Sequence, residues 1–342
     1  MKRGKMRRIL LLSVLPALSL NAQTLKIVVQ NPAVMKELLA GGDIPQQVKL
    51  VTASGADLTR EIADADGFIG GPLNAADLKA AKKLRWVQSF SAGVENQLFL
   101  SGNTILRDSA IVLTNNRIVE GPELADHALA MLLALTRQLP RFMANQAQVR
   151  WQGNSQGMLV LKDKMAVVIG VGGAGFNIAT RAWAFGMTVI GVDPQDYPLT
   201  PIIKKYVKPD QLDEVLPQAD VVFVSAPHTE QSHHMMGKRE FELMKQGSYF
   251  VAVSRGGLYD MDGLVKALDT KRLAGAGVDV TEPEPLPKGH PLWKFNNAII
   301  TPHVAGRSDQ DNARMVGTVR ENIKRFAAGK PLINVVDKQK GY

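Results

Sequence analysis

The 342-residue chain contains no cysteine. Disulfides, thiol catalysis and cysteine-ligated zinc are excluded, and an oxidising compartment would suit it. Low-complexity tracts and repeats of solenoid period are also missing. So is a concentrated basic stripe. The formal charge is +9, but Lys2, Arg3, Lys5, Arg7 and Arg8 supply five of those charges within the first 22 residues, which hold no acid. The remaining +4 is spread along the chain, which argues against a nucleic-acid partner. The apolar stretch Ile9 to Leu15 is too short to cross a bilayer, so no stable membrane span is expected in the mature chain.

What the N-terminus does contain is the pattern of a targeting segment. Basic residues precede an apolar run, then Pro16-Ala17-Leu18-Ser19-Leu20 and Asn21-Ala22-Gln23. Met6-Arg7-Arg8-Ile9-Leu10-Leu11 loosely matches a twin-arginine signal, a route that carries folded proteins with cofactor bound. The expectation is export, to a periplasmic location; the alternative is a basic cytoplasmic extension.

From Leu25 onward the chain alternates strand-like and helix-like stretches, the rhythm of a parallel α/β sheet. Strands are predicted at Leu25–Val29, Val48–Val51, Gly67–Ile69, Trp86–Phe90 and Ile111–Thr114, with helices such as Pro32–Leu39 and Asn74–Ala81 between them. A long helix from about Pro122 to Leu139 is apolar most of the way round, which predicts burial and makes His127 a structural histidine. A second, larger α/β unit opens near Lys164. Its predicted strands are Met165–Ile169, Thr188–Val192, Val221–Val224, Ser248–Val253, Gly275–Val278 and Ala298–Thr301, and Ser308 can cap a last helix from Asp309 to Ala328, which stops at Gly329-Lys330-Pro331.

The most informative run is Gly170-Val171-Gly172-Gly173-Ala174-Gly175, between an apolar strand and a helix, with Asp193 at the end of the next strand. Gly170 permits a tight turn, Gly172 lets backbone approach phosphate, and Gly175 lets helix pack on strand. The helix that follows offers free N–H groups to a pyrophosphate. The Asp193 carboxylate can accept from both ribose hydroxyls and would repel a 2′-phosphate, favouring NAD over NADP. Arg255, Asp279 and His303 each follow a predicted strand of the same unit, at the edge where open parallel sheets bind ligands. Arginine can grip a carboxylate with its planar fork, and histidine exchanges protons near neutral pH. Hydride transfer to a 2-keto acid needs those two groups beside the nucleotide.

Together these residues resemble the D-isomer-specific 2-hydroxyacid dehydrogenases over nearly the whole chain after the targeting segment. The resemblance rests on Ser91-Ala92-Gly93-Val94-Glu95, Glu123-Leu124-Ala125-Asp126-His127, the glycine run, Ser254-Arg255-Gly256-Gly257, Gly277-Val278-Asp279-Val280-Thr281-Glu282-Pro283-Glu284-Pro285 and Thr301-Pro302-His303-Val304-Ala305-Gly306. It implies two doubly wound parallel-sheet domains, a Rossmann NAD-binding domain at 121–306 and a flavodoxin-like substrate domain split between 23–120 and 307–342, after a targeting segment at 1–22. Hinges are implied near Glu120 and Gly306, and a homodimer through the cofactor domains. Arg255 is implied to bind substrate, His303 to be the acid/base and Glu284 its carboxylate partner, with Glu282 the competitor for that role. Asp279 is implied to meet the nicotinamide carboxamide. Val253, Gly173 and Ala174 line the cofactor, and Ala92, Gly93 and Val94 offer backbone N–H groups to the substrate carboxylate; Gly306 lies beside the cofactor. The implied reaction interconverts a small 2-keto acid and its D-2-hydroxy acid. An alternative is a catalytically weak, NAD(H)-sensing binding protein of the same fold.

Several residues depart from the family's pattern. Ala252 stands where Asn is common, Glu95 where Asp is, and His228 where Leu is frequent. His228 is expected to pack or face solvent. His233 and His234 lie in a polar loop with no further ligands evident in the sequence, so no metal is expected. Arg107, Arg117, Arg137 and Arg141 leave a phosphorylated substrate open, with no pocket position assignable to any of them.

Overall fold

The computed structural model describes residues 24–102, 104–153 and 156–342. The targeting segment expected at 1–22 lies outside them. Twelve strands form two wholly parallel sheets. The first sheet contains β1 (Leu25–Val29), β2 (Val48–Thr52), β3 (Gly67–Gly70), β4 (Trp86–Ser89) and β5 (Val112–Thr114), in the order β2-β1-β3-β4-β5. The second contains β6 (Met165–Ile169), β7 (Thr188–Val192), β8 (Lys205–Val207), β9 (Val221–Val224), β10 (Ser248–Ala252), β11 (Leu273–Val278) and β12 (Ala298–Ile300), in the order β12-β11-β10-β9-β6-β7-β8. Both are doubly wound, as the residue pattern requires. Continuous apolar strands such as Val221–Val224, buried at every position, are what a parallel sheet covered on both faces demands.

The period-2 alternation of each strand sorts its side chains into two cores. In the larger sheet Val167, Ile169, Val222 and Val224 face one layer of helices, while Ala166, Val168, Val221 and Phe223 face the other. In the smaller sheet the layer holding Ile27, Val29, Ile69 and Trp86 is closed by Val34 and Leu38 of the first helix and by Val316, Val319 and Ile323 of the helix Asp311–Ala327. The last helix therefore packs on the first sheet, nearly 300 residues away in sequence. A buried polar network fixes it there. Asn322 donates to Gln88 Oε1 (2.9 Å) and to the Ile333 carbonyl (3.0 Å) and accepts from Ile333 N–H (2.8 Å), while Thr114 joins Gln88 to the indole N–H of Trp86.

Three differences from the sequence reading have local causes. β8, with only three residues, was too short to register as a periodic segment. The helix expected to run to Leu139 stops at Thr136: Gln138 takes left-handed backbone (φ 57°), and Pro140 opens a second helix, Leu139–Ala147. The final helix starts at Asp311, and Ser308 caps its approach, its hydroxyl accepting from the N–H groups of Gln310 and Asp311.

The helix Gly121–Thr136 lies against the helix Gly173–Ala184 that follows the glycine turn. Small buried residues, Ala125, Ala128, Ala179 and Ala182, permit the close approach, and Arg181 Nε bonds Asp126 Oδ1 at 2.6 Å across it. An ion pair between Arg314 and Glu123 ties the last helix to the same element. Among the described residues no helix is long and apolar enough to cross a membrane.

Candidate active site

In both sheets the strands' carboxyl ends open onto one cleft of about 1540 Å³. From the first unit it is lined by the ends of β3, β4 and β5, including Ala92, Gly93 and Val94. From the second it is lined by Gly170, Gly172, Gly173, Ala174, Asp193, Val253, Arg255, Glu284, His303 and Gly306. A parallel sheet places every such loop on one edge, so residues scattered over 200 positions meet.

The glycine turn meets steric demands that only glycine satisfies. Gly170 has φ 83°, and a side chain there would overlap Ala226; a Cβ on Gly175 would overlap the Gly170 carbonyl. Gly172 differs: a Cβ there would meet nothing, because its backbone faces open cleft. Gly175 does not line the cleft and serves the packing of helix on turn. Asp193 accepts from Val171 N–H (2.8 Å) and Gln195 N–H (2.9 Å), which fixes its carboxylate at the end of β7. Tyr197 sits nearby, its phenol pushed up to about 12 by burial and by the neighbouring Asp193. A helix N-terminus behind an open glycine turn, with a fixed acid one strand away, fits a dinucleotide's pyrophosphate and ribose.

At the mouth of the cleft, His303 Nδ1 lies 2.8 Å from Glu284 Oε2, and the other Glu284 oxygen accepts from Thr281 N–H at 2.9 Å. The competitor Glu282 points elsewhere, to His234 Nε2 at 3.3 Å. Arg255 Nε donates to Glu95 Oε1 at 2.5 Å and Nη1 to the Ser254 carbonyl at 2.7 Å. Gly93 packs so closely on this guanidinium that a Cβ would overlap Nη2. Arg255 and the Ala92-Gly93-Val94 loop therefore sit side by side, with Glu95 of the first unit orienting an arginine of the second.

The Asp279 side chain is buried beneath the turn that carries His303. Its oxygens accept from Thr301 Oγ1 (2.6 Å), Val304 N–H (2.9 Å) and Ala305 N–H (2.9 Å). The His303 backbone N–H bonds the Asp279 carbonyl at 2.8 Å, and His303 itself holds a φ of 54°. Asp279 thus secures the turn that presents the histidine. The proton of the Thr301 hydroxyl is committed to Asp279, so Thr301 accepts from His127 Nε2, 2.9 Å away. His127 is a satisfied structural residue, as its helical setting implied.

Further residues line the cleft, some of them singled out in the sequence. His228 is buried in the wall, edge-on to Phe99 and below the usual imidazole range because burial disfavours its charged form. Of the four arginines considered for a phosphate, Arg117 lines the cleft. Gln339, Lys340, Gly341 and Tyr342 line it too, reaching it from the first sheet, where Val335 bridges Thr114. No local pattern announces that return; it depends on where the last helix docks. Glu120 lies in the cleft beside Gly306, at the implied hinge.

A site of this kind, two parallel-sheet edges facing each other over an open glycine turn, defines the class of two-domain, nucleotide-dependent oxidoreductases. Comparison with known proteins narrows the class. Residues 129–305, just over half of the chain, match the family described as D-isomer specific 2-hydroxyacid dehydrogenase, NAD binding domain. The chain is 30% identical to a glyoxylate reductase of Korarchaeum cryptofilum, over 82% of this chain and 86% of that one. It is also 30% identical to a D-3-phosphoglycerate dehydrogenase of Archaeoglobus fulgidus over 82% of its own length, but it spans only about half (53%) of that protein. A solved D-isomer specific 2-hydroxyacid dehydrogenase family protein from Aeromonas salmonicida superposes with a TM-score of 0.77 at 31% identity, covering 93% of this chain and 99% of that one. The chain belongs to the D-isomer-specific 2-hydroxyacid dehydrogenase family.

Burial holds the Glu120 carboxyl above its ordinary 4.5, ahead of the opposing pull of Arg307 and Arg255. A carboxyl raised on folding favours the neutral form, so its ionisation costs stability as pH climbs through the raised value, and the cost is absent below 4.5. Glu120→Gln should therefore unfold at a higher temperature than wild type at pH 7 and at the same temperature near pH 4. A variant less stable than wild type at pH 7 would show that the arginines hold this carboxylate more than burial penalises it.

Proposed function

We propose that the protein is a dehydrogenase interconverting a small 2-keto acid and its D-2-hydroxy acid, with NAD as cofactor. The observation that carries this reading is the pairing of His303 with Glu284 in the same cleft as Arg255 and an open glycine turn. When bound, the nicotinamide supplies or takes the hydride. The chain's own residues do the rest. Arg255, oriented by Glu95, binds the substrate carboxylate together with the Ala92-Gly93-Val94 backbone. His303 gives a proton to the carbonyl oxygen or takes it from the hydroxyl. Glu284 engages Nδ1, which leaves Nε2 for that exchange and stabilises the charged ring.

Replacing His303 with Ala should lower kcat by about 10²- to 10⁴-fold, the usual worth of a positioned acid/base. NADH affinity, measured by fluorescence titration, should stay within about twofold, since the glycine turn and Asp193 are untouched. Arg255→Ala should act chiefly on KM for the keto acid. Wild-type turnover by the His303 variant on every active 2-keto acid would dismiss the assignment.

The choice of NAD is supported by Asp193, already engaged as an acceptor where a 2′-phosphate would bring further negative charge. The ratio of kcat/KM for NADH over NADPH should exceed about tenfold. A ratio below one would reverse the assignment.

A homodimer is supported by the segment after the helix break. There Leu139, Met143, Val149 and Trp151 stand exposed, Trp151 completely, on a cofactor-unit surface that no other described residue covers. Light scattering on the purified chain should give twice the monomer mass, and Trp151→Glu should halve it. A wild-type monomer at micromolar concentration would refute the assembly.

A further inference from the structure

Three side chains on the rim of the cleft converge without serving it. His233, His234 and Glu282 each bring one potential ligand atom into a space in which all three lie within 4.8 Å of one another. The two imidazoles stack with centroids 4.0 Å apart and planes 19° from parallel. His234 Nε2 is 3.3 Å from Glu282 Oε2. None of the three lines the cleft, and Glu284, not Glu282, partners His303. The chain has six histidines, and three of them, His228, His233 and His234, gather at this one corner.

The backbone is arranged to produce this convergence. His234 takes left-handed backbone, φ 49°. Its N–H bonds the Gly257 carbonyl at 2.9 Å, and Met236 N–H bonds the Leu258 carbonyl at 3.1 Å. The histidine loop is thereby pinned to the segment that follows Arg255. Glu282 reaches the same place from the loop that carries Glu284. One imidazole would satisfy the Glu282 carboxylate as an ion pair. The second ring, stacked on the first, has no part in such a pair.

We propose that His233, His234 and Glu282 form a divalent transition-metal site of the zinc class. Two imidazole nitrogens and one carboxylate oxygen are three donors of a tetrahedral site, with water taking the fourth position; because an imidazole binds an ion in its own plane, one ring turns out of the 4.0 Å stack when the ion enters. A nitrogen-rich, thiolate-free set suits Zn²⁺, Ni²⁺ or Cu²⁺ and disfavours Mg²⁺ and Ca²⁺. Donors about 2.0–2.1 Å from a tetrahedral ion stand about 3.3 Å from each other, the separation already present between His234 and Glu282. The support behind the donors is also present. His233 Nδ1 lies 3.1 Å from Nε2 of His228, which leaves Nε2 of His233 for the ion. Through His228 in the cleft wall and through Glu282, two residues from Glu284, a bound ion would join the two loops flanking the substrate end of the cleft.

The test uses the full chain without an affinity tag, stripped by chelator and free of nucleotide and keto acid. Titration with Co²⁺ should develop the visible spectrum of a tetrahedral N/O site at one equivalent per chain, and Zn²⁺ should displace it. Zn²⁺ should raise the melting temperature by a few degrees. His234→Ala and Glu282→Gln should each weaken Co²⁺ binding at least 10-fold, with an unchanged circular dichroism spectrum showing that both variants fold. Absence of a one-equivalent cobalt spectrum in the wild type would overturn the proposal, and so would equal affinity in both variants. Because neither cofactor nor substrate takes part, failure of the dehydrogenase reading and failure of the metal site register in separate experiments.

Discussion

The buried carboxylate of Asp279 is the constraint on which the reactive end of the cleft depends. An isolated carboxylate removed from water would be prohibitively costly. Here two backbone N–H groups and the Thr301 hydroxyl meet it, and those donors belong to the loop that carries His303. Satisfying one charge therefore dictates the path of the five residues Thr301 to Ala305 and holds a histidine in left-handed backbone. His127, from the helix joining the two units, completes the chain by donating to Thr301. His303 is thus positioned from beneath by the buried Asp279 carboxylate, and from the side by Glu284, which lines the cleft.

The second coupling runs between the units. Glu95 belongs to the first sheet's β4 loop and Arg255 to the second sheet's β10 loop, and their 2.5 Å contact is only partly exposed. Breaking a largely buried ion pair by removing one partner leaves the other charge unpaired, a more serious loss than that of a surface bridge. The Arg255 guanidinium in the cleft is consequently oriented only while the two units stand together. Arg314 with Glu123, and Asn322 with Gln88, hold the returning C-terminal helix in the position this arrangement requires.

Much of this was legible without coordinates. Eleven of the twelve strands follow from apolar runs of parallel-sheet type, and β8 was missed for its brevity. The glycine turn was readable because each glycine answers a separate steric demand, as the overlaps at Gly170 and Gly175 and the open space at Gly172 show. Arg255 and His303 could be singled out because each lies just past a strand, and in a parallel sheet that position carries spatial meaning; Glu284 was named only through the resemblance to the family. Asp279 shares the same sequence signal, yet it turns inward; a position past a strand end does not say which way the side chain points.

The sequence by itself determined the two doubly wound sheets and the glycine turn, and marked Arg255 and His303 as strand-end residues, because periodicity, glycine chemistry and strand-end position are local properties. Only the tertiary structure decided that Glu284 rather than Glu282 meets His303, that Glu95 grips Arg255, that Asp279 supports a turn, and that residues 339–342 return to the cleft. It alone also brought Glu282 to a pair of histidines nearly fifty residues away. Each of these is a contact between segments remote in the chain. Their distances are fixed by how sheets, helices and loops pack, and no window of sequence contains that information.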